Sequence, residues 1–198
     1  MGAILQSLNR TIIAGFVLLA VIVVLASSIS GTPVPFATHA WALFFIRWLH
    51  VLAGVMWIGL LWYFNFVQMP SMPKIPDEQK PAISKVIAPA ALFWFRHAAL
   101  WTVITGVTLA SMSGYIGQAL MLHGSVKAIG IGMWLALVMA FNVWFIIWPN
   151  QQKALGMVPV EADAKAKAAR MAMLTSRFNT MLSIPMLFCM VAQQNGGF

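Results

Sequence analysis

Five apolar runs dominate the chain and leave few folds open to it. They cover residues of about 11–30, 40–68, 92–122, 128–148 and 178–192, each near or above the ~20 residues that a helix needs to cross a bilayer, the somewhat short fifth excepted. These runs are apolar all round. A closed β-barrel would instead show shorter segments alternating apolar with polar residues, so the runs read as helices that satisfy their backbone groups internally. With 61% hydrophobic and 8% charged residues, the chain lacks the polar surface that a soluble domain of 198 residues must show to water. The expected fold is therefore an all-α integral membrane protein. It is a single membrane domain over residues 1–198, with helices two to five as a bundle.

The charge of +8 does not point to nucleic acid, because the basic residues sit in short connections between apolar runs. There they act as topology signals. Arg10 precedes the first run; Lys74, Lys80 and Lys85 separate the second and third; Lys153, Lys165, Lys167 and Arg170 separate the fourth and fifth. Those connections are expected to be cytoplasmic, which places the N-terminus inside and the C-terminus outside. The first run is too long for a usual signal-peptide core, and Ala26-Ser27-Ser28 is a weak cleavage site, so it is read as a retained helix. Met69 to Pro76 is a proline-broken exit from the second run. The Ala-rich, charged stretch at about 160–175 is a cytoplasmic helical linker into the fifth.

The vocabulary of most enzymes is missing. There is no Gly-rich phosphate loop, no Cys-x-x-Cys-His and no nucleophile elbow. The four acidic residues lie in loops, which excludes a carboxylate proton relay within the membrane. Cys189 is alone and reads as a small buried hydrophobe. Histidines, aromatic residues and a few amides remain. His50 stands at the start of an apolar stretch long enough to cross a bilayer, where an ionisable group faces a packed interior, a cofactor or a proton path. Arg47, His50, Gly54, Leu61, Asn65 and Gln68 recur at helical spacing and form one stripe.

Neutral imidazole is a common axial ligand for haem b, so His50 and His97 form the natural candidate pair for haem iron. Gly54 would leave room for the macrocycle and Trp101 would wall it. The competing reading has His50 hydrogen-bonded to a neighbouring carbonyl or to Asn142, and His97 placed with Arg96 at the interface. His39 and His123 read as solvated loop residues.

Three stretches carry a resemblance. Arg47 through Gln68, Trp148-Pro149-Asn150-Gln151-Gln152-Lys153-Ala154-Leu155-Gly156, and Ser176-Arg177-Phe178-Asn179 through Phe188 resemble the membrane domain of the bacterial membrane-bound urate oxidases, in the same order. The resemblance implies a urate-oxidising membrane oxidoreductase whose electrons pass to a periplasmic cytochrome c. The present sequence ends at Phe198 without that cytochrome, so a separate cytochrome c or another membrane redox subunit is the expected partner. Urate is planar and anionic, and it would need a cation, amides and aromatic surfaces. Arg47, Asn65, Asn142 and Asn179 are the substrate-binding candidates, Arg177 is a further cation, and Trp57 or Trp101 would stack. The alternatives are a cofactor-free structural or assembly subunit of a larger redox complex, and a small channel or transporter. The lack of repeats and intramembrane carboxylates argues against the last.

Overall fold

The computed structural model describes residues 2–196, and every regular element among them is helical. The chain divides into two compact units, the first ending at Ala42 and the second beginning at Leu43. In the first, α1 (Gly2–Leu5) is a single turn and α2 (Leu8–Ser30) is an apolar helix that buries none of its residues. Arg10 donates to the Ala3 carbonyl at 3.2 Å, which holds the turn to the helix. α2 stops at Gly31, whose φ of 68° is the left-handed cap that glycine adopts without a Cβ penalty.

α3 (His39–Trp62) begins just before the boundary between the units and continues through a π-helical turn at Tyr63–Gln68 into α4 (Met69–Ser71) and a 3-10 turn, Met72–Lys74. α5 (Lys80–Ala82) leads through a second π-turn, Ile83–Ile87, into α6 (Ala88–Met112). A short α7 (Ile116–Leu120) and a 3-10 turn, Gly124–Val126, precede α8 (Lys127–Phe141). A third π-turn, Asn142–Ile147, joins α8 to α9 (Trp148–Ala154), and α10 (Ala162–Asn195) closes the chain.

Each π-turn has the same cause in the sequence. Pro70, Pro89 and Pro149 stand two residues past the three π-turns. A proline in a helix lacks the N–H and presses its ring on the carbonyl four residues back. The residue before each one answers by reaching a turn further: Met69, Ala88 and Trp148 donate to the carbonyls of Phe64, Ile83 and Val143, five residues back. The helix is widened rather than broken. The expected proline-broken exit at Met69 is thus corrected, since the helix runs on to Lys74.

Two further expectations change. The third apolar run is not one helix to Leu122: α6 ends at Met112, where Gly114 takes φ 76°, and α7 is a separate turn. Four helices among the described residues are long and apolar enough to cross a membrane, Leu8–Ser30, His39–Lys74, Lys80–Met112 and Gly124–Ala154, rather than about five. The run at 178–192 belongs instead to a 34-residue helix shared with the charged linker. Its inward face explains the shortfall, because Ser176, Asn179 and Ser183 dilute the apolar content while facing the bundle.

Within the second unit, α3, α6, α8 and α10 form a bundle around Trp57, Leu61, Phe64, Phe95, Ala99, Met139, Val143 and Met186. Apolar side chains gain little by leaving lipid for one another, so close approach and interhelical hydrogen bonds must hold such a bundle. Both are present. α10 buries a seam of small residues, including Ala168, Ala172, Ser176, Ser183, Cys189 and Ala192. A Cβ added at Gly132 of α8 would lie 3.1 Å from Cys189 Cβ. At the far end, Gln193 Oε1 accepts from Ile129 N at 3.1 Å while its Nε2 donates to the Ser125 carbonyl at 2.9 Å. One side chain of α10 thereby satisfies an otherwise orphaned N–H in the first turn of α8.

Candidate functional site

His50 is half-buried against α6. Its Nδ1 lies 3.0 Å from the Thr102 carbonyl and 3.2 Å from Thr105 Oγ1. A carbonyl oxygen only accepts, so Nδ1 carries the hydrogen, and in the neutral ring Nε2 keeps its lone pair. Thr105 Oγ1 donates to the Trp101 carbonyl at 2.6 Å and is free to accept the second branch of the bond. The imidazole packs against Gly106, where an added Cβ would come within 2.9 Å of Cε1. Glycine is needed there because no other residue leaves the ring room. Gly54, by contrast, has open space beside it: a Cβ would meet nothing within 4 Å.

His97 sits elsewhere. Its Nδ1 donates to the Phe93 carbonyl at 2.7 Å, and its ring lies 4.2 Å from Phe93 and edge-on to Trp144 at 5.8 Å. On α6 it stands about 140° around the axis from Thr102 and about 12 Å along it from the level of Thr105. The structure does not bring the two imidazoles together. Each has its Nδ1 fixed by a carbonyl, but on different faces of one helix. No group of three or more His, Cys, Asp or Glu that could hold a metal ion occurs among the described residues.

The amides are committed to the bundle. Asn142 Nδ2 donates to Asn179 Oδ1 at 2.8 Å, and Asn179 Nδ2 donates to the Met139 carbonyl at 2.9 Å; both residues are buried, Asn179 completely. Asn65 Nδ2 divides its bonds between the Leu61 carbonyl and Ser176 Oγ, both at 2.8 Å. Trp62 Nε1 donates to Ser183 Oγ at 2.9 Å. α10 is thus stitched to α8, α3 and the π-turn after α3, in part by the three asparagines that sequence reading offered as substrate contacts. Of the two proposed stacking surfaces, Trp57 is fully buried in the core, whereas Trp101 is 57% exposed. Arg47 and Arg177 are exposed, as are His39 and His123.

Outside the spanning helices, half-buried Tyr115 is set against Arg47. Burial pushes its phenol above the usual tyrosine range, and the Arg47 charge pulls it partly back. Arg96 lays its guanidinium 3.8 Å over the Trp148 ring and 5.4 Å from Phe93, a cation–π stack that supports the charge beside α9.

A second locus lies at the lysine-bearing end of the bundle. A cavity of about 60 Å³ opens between Phe64, Gln68, Phe95, Ile147, Gln151 and Ser176. Sequence reading missed it, although all three stretches that carry the resemblance contribute to its wall: Gln68 ends the first, Gln151 lies in the second and Ser176 begins the third. Gly106, Thr102 and Thr105 were missed as well. The one signal for them was a Thr-x-x-Thr-Gly pattern on α6, which has no meaning until His50 is placed against it.

The fold is all-helical, with four helices among the described residues long and apolar enough to cross a membrane, a carbonyl-anchored histidine, and a small cavity with two glutamines and a serine in its wall. Over residues 121–196 the chain is similar to the family described as urate oxidase N-terminal. That match takes in the second and third of the resembling stretches and the Asn142–Asn179 pair, and leaves His50 outside it. No curated protein and no solved structure matches the chain.

Proposed function

We propose that the chain is a membrane-embedded redox module related to urate oxidases, resident in a bacterial inner membrane with its lysine-rich end in the cytoplasm. The observation that carries the reading is His50: the Thr102 carbonyl holds Nδ1–H, leaves Nε2 as the bare nitrogen, and fixes the ring plane against Gly106. A carbonyl on the far nitrogen is the usual support of a ligating imidazole. The similarity over residues 121–196 supports the family side of the proposal.

The residues fit a haem b held by one protein nitrogen. His50 Nε2 is the ligand, and the open side of Gly54, one turn away, leaves room beside it. His97, on another face, is not the second ligand of that iron. A bound haem would supply one-electron chemistry, with a cytochrome c as the electron acceptor. This chain's own part is to orient the imidazole through Thr102 and Thr105, and to present Arg47, one turn from His50, as a cation for an anionic purine. Asn65, Asn142 and Asn179 serve by holding the helices that carry these groups.

The test is a reduced-minus-oxidised absorption spectrum of the detergent-purified protein, beside His50→Ala and His97→Ala. A b-type spectrum lost in His50→Ala and kept in His97→Ala is the expected result. A featureless spectrum from intact protein supplied with haem during expression would refute the haem reading. It would leave the second reading, a cofactor-free subunit of a larger membrane complex. That alternative draws on the amides, which tie the helices to one another and need no ligand to satisfy their donors.

A further inference from the structure

Two buried acceptor atoms at the lysine-bearing end lack a donor: Gln68 Oε1 and Asn65 Oδ1 have no hydrogen-bond partner, although both are shut off from the surface. Gln68 lines the cavity between the π-turns, and Asn65 reaches its wall through the bond to Ser176. An unpaired buried acceptor is costly, and bound water is a common way of completing one; Trp57 Nε1 and Trp144 Nε1 also lack a partner, but Gln68 is the one of the four residues that lines a cavity with room for water. The cavity offers what water requires. Its 60 Å³ is room for on the order of four molecules, each needing about 10–15 Å³ by this measure. Two primary amides, Gln68 and Gln151, and the Ser176 hydroxyl give the two to four polar partners that a buried water needs. The remaining wall is apolar and aromatic, with Phe64 edge-on to Phe95 at 5.7 Å.

The cavity also has a cause in the backbone. Phe64 and Gln68 belong to the first π-turn, Ala88 follows the second, and Ile147 ends the third. Widened turns on three helices at one level hold the side chains apart where regular turns would let them close. Such turns recur at functional sites.

We infer that this cavity is a hydrated site, in which ordered water donates to Gln68 Oε1 and forms an aqueous inlet from the lysine-rich end into the bundle. The inference is independent of any cofactor at His50, which lies at the opposite end of the α3–α6 contact. It assigns to Gln68, Gln151 and Ser176 the task of holding that water.

Radiolytic hydroxyl labelling of the intact, detergent-purified protein tests this directly, because radicals born from bound water mark the side chains beside it even where bulk solvent does not reach. Phe95 is 2% exposed and lines the cavity; Met139 is 0% exposed and does not. Methionine is the intrinsically more reactive side chain. Phe95 labelled several-fold faster than Met139 is the expected result, with the excess lost in Gln68→Leu. Phe95 as protected as Met139 would overturn the inference, and so would labelling unchanged by Gln68→Leu in a variant that keeps the wild-type melting temperature. Should Gln68→Leu not fold, Gln151→Leu removes a different partner of the same water and must give the same loss.

Discussion

Gly106→Ala is the sharpest test of the His50 arrangement. The added methyl would sit 2.9 Å from Cε1 and 3.3 Å from Nδ1 of the imidazole. A flexible side chain would swing away, but this ring is pinned through Nδ1 to Thr102 and Thr105. Either the helices part, at about 1–3 kcal/mol for overpacking, or the ring moves and forfeits a hydrogen bond of about 1 kcal/mol. Against this stands the helix preference of alanine over glycine, about 1 kcal/mol in favour of the variant. The net effect expected is a loss of about 0–2 kcal/mol, which leaves Gly106→Ala about 1–3 kcal/mol less stable than Gly54→Ala. Gly54→Ala gives the control: it has the same propensity gain, and its methyl meets nothing within 4 Å, so it should be neutral or stabilising. Thermal or denaturant unfolding in one detergent reads both. The cycle with His50→Ala isolates the contact, because Gly106→Ala should stop being costly once the imidazole is gone. A Gly106→Ala protein as stable as Gly54→Ala, or a penalty of equal size with and without His50, would refute the packing argument.

Two other outcomes follow from the geometry. Asn179→Leu removes the donor to the Met139 carbonyl and the acceptor for Asn142, so it should cost about 2–4 kcal/mol, and a loss below about 0.5 kcal/mol in the same unfolding assay would show that the amides are not locked together. Tyr115, followed by its ultraviolet titration in a Tyr63→Phe background, should ionise above the ordinary tyrosine range and move higher still in Arg47→Gln. Because its folded value is raised, the stability it contributes is complete below the ordinary phenol pKa and is lost as pH rises through the folded one. A downward move in Arg47→Gln would contradict the placement of the two groups.

The helical class was legible because it rests on composition and run length, which the bilayer constrains strongly. Helix ends were less so. Gly114 stops α6 ten residues before the apolar run gives out, since a left-handed glycine cap outranks continued hydrophobicity. Pro70 misled for the opposite reason: a π-turn accommodates a proline that sequence rules treat as a stop. His50 could be picked out from sequence as an ionisable group in an apolar run, but its anchors could not, because Thr102, Thr105 and Gly106 lie more than fifty residues away. The three asparagines read as substrate contacts because an amide's valence is visible in sequence and its partner is not. Gln68, Gln151 and Ser176 come together only through the pairing of α3, α9 and α10.

Stiffness is distributed unevenly by these turns. α10 continues through Pro185 as one helical element of about 51 Å, well beyond the ~30 Å of a hydrocarbon core, and it carries Lys165 and Arg170 at one end and the Gln193 clasp on α8 at the other. α3 and α8 reach the same end through widened joints whose hydrogen bonds skip a residue. α10 therefore links the charged end to the far end of α8 in a single element, interrupted only by the hydrogen bond that Pro185 cannot make, while α3 and α8 change pitch at their joints.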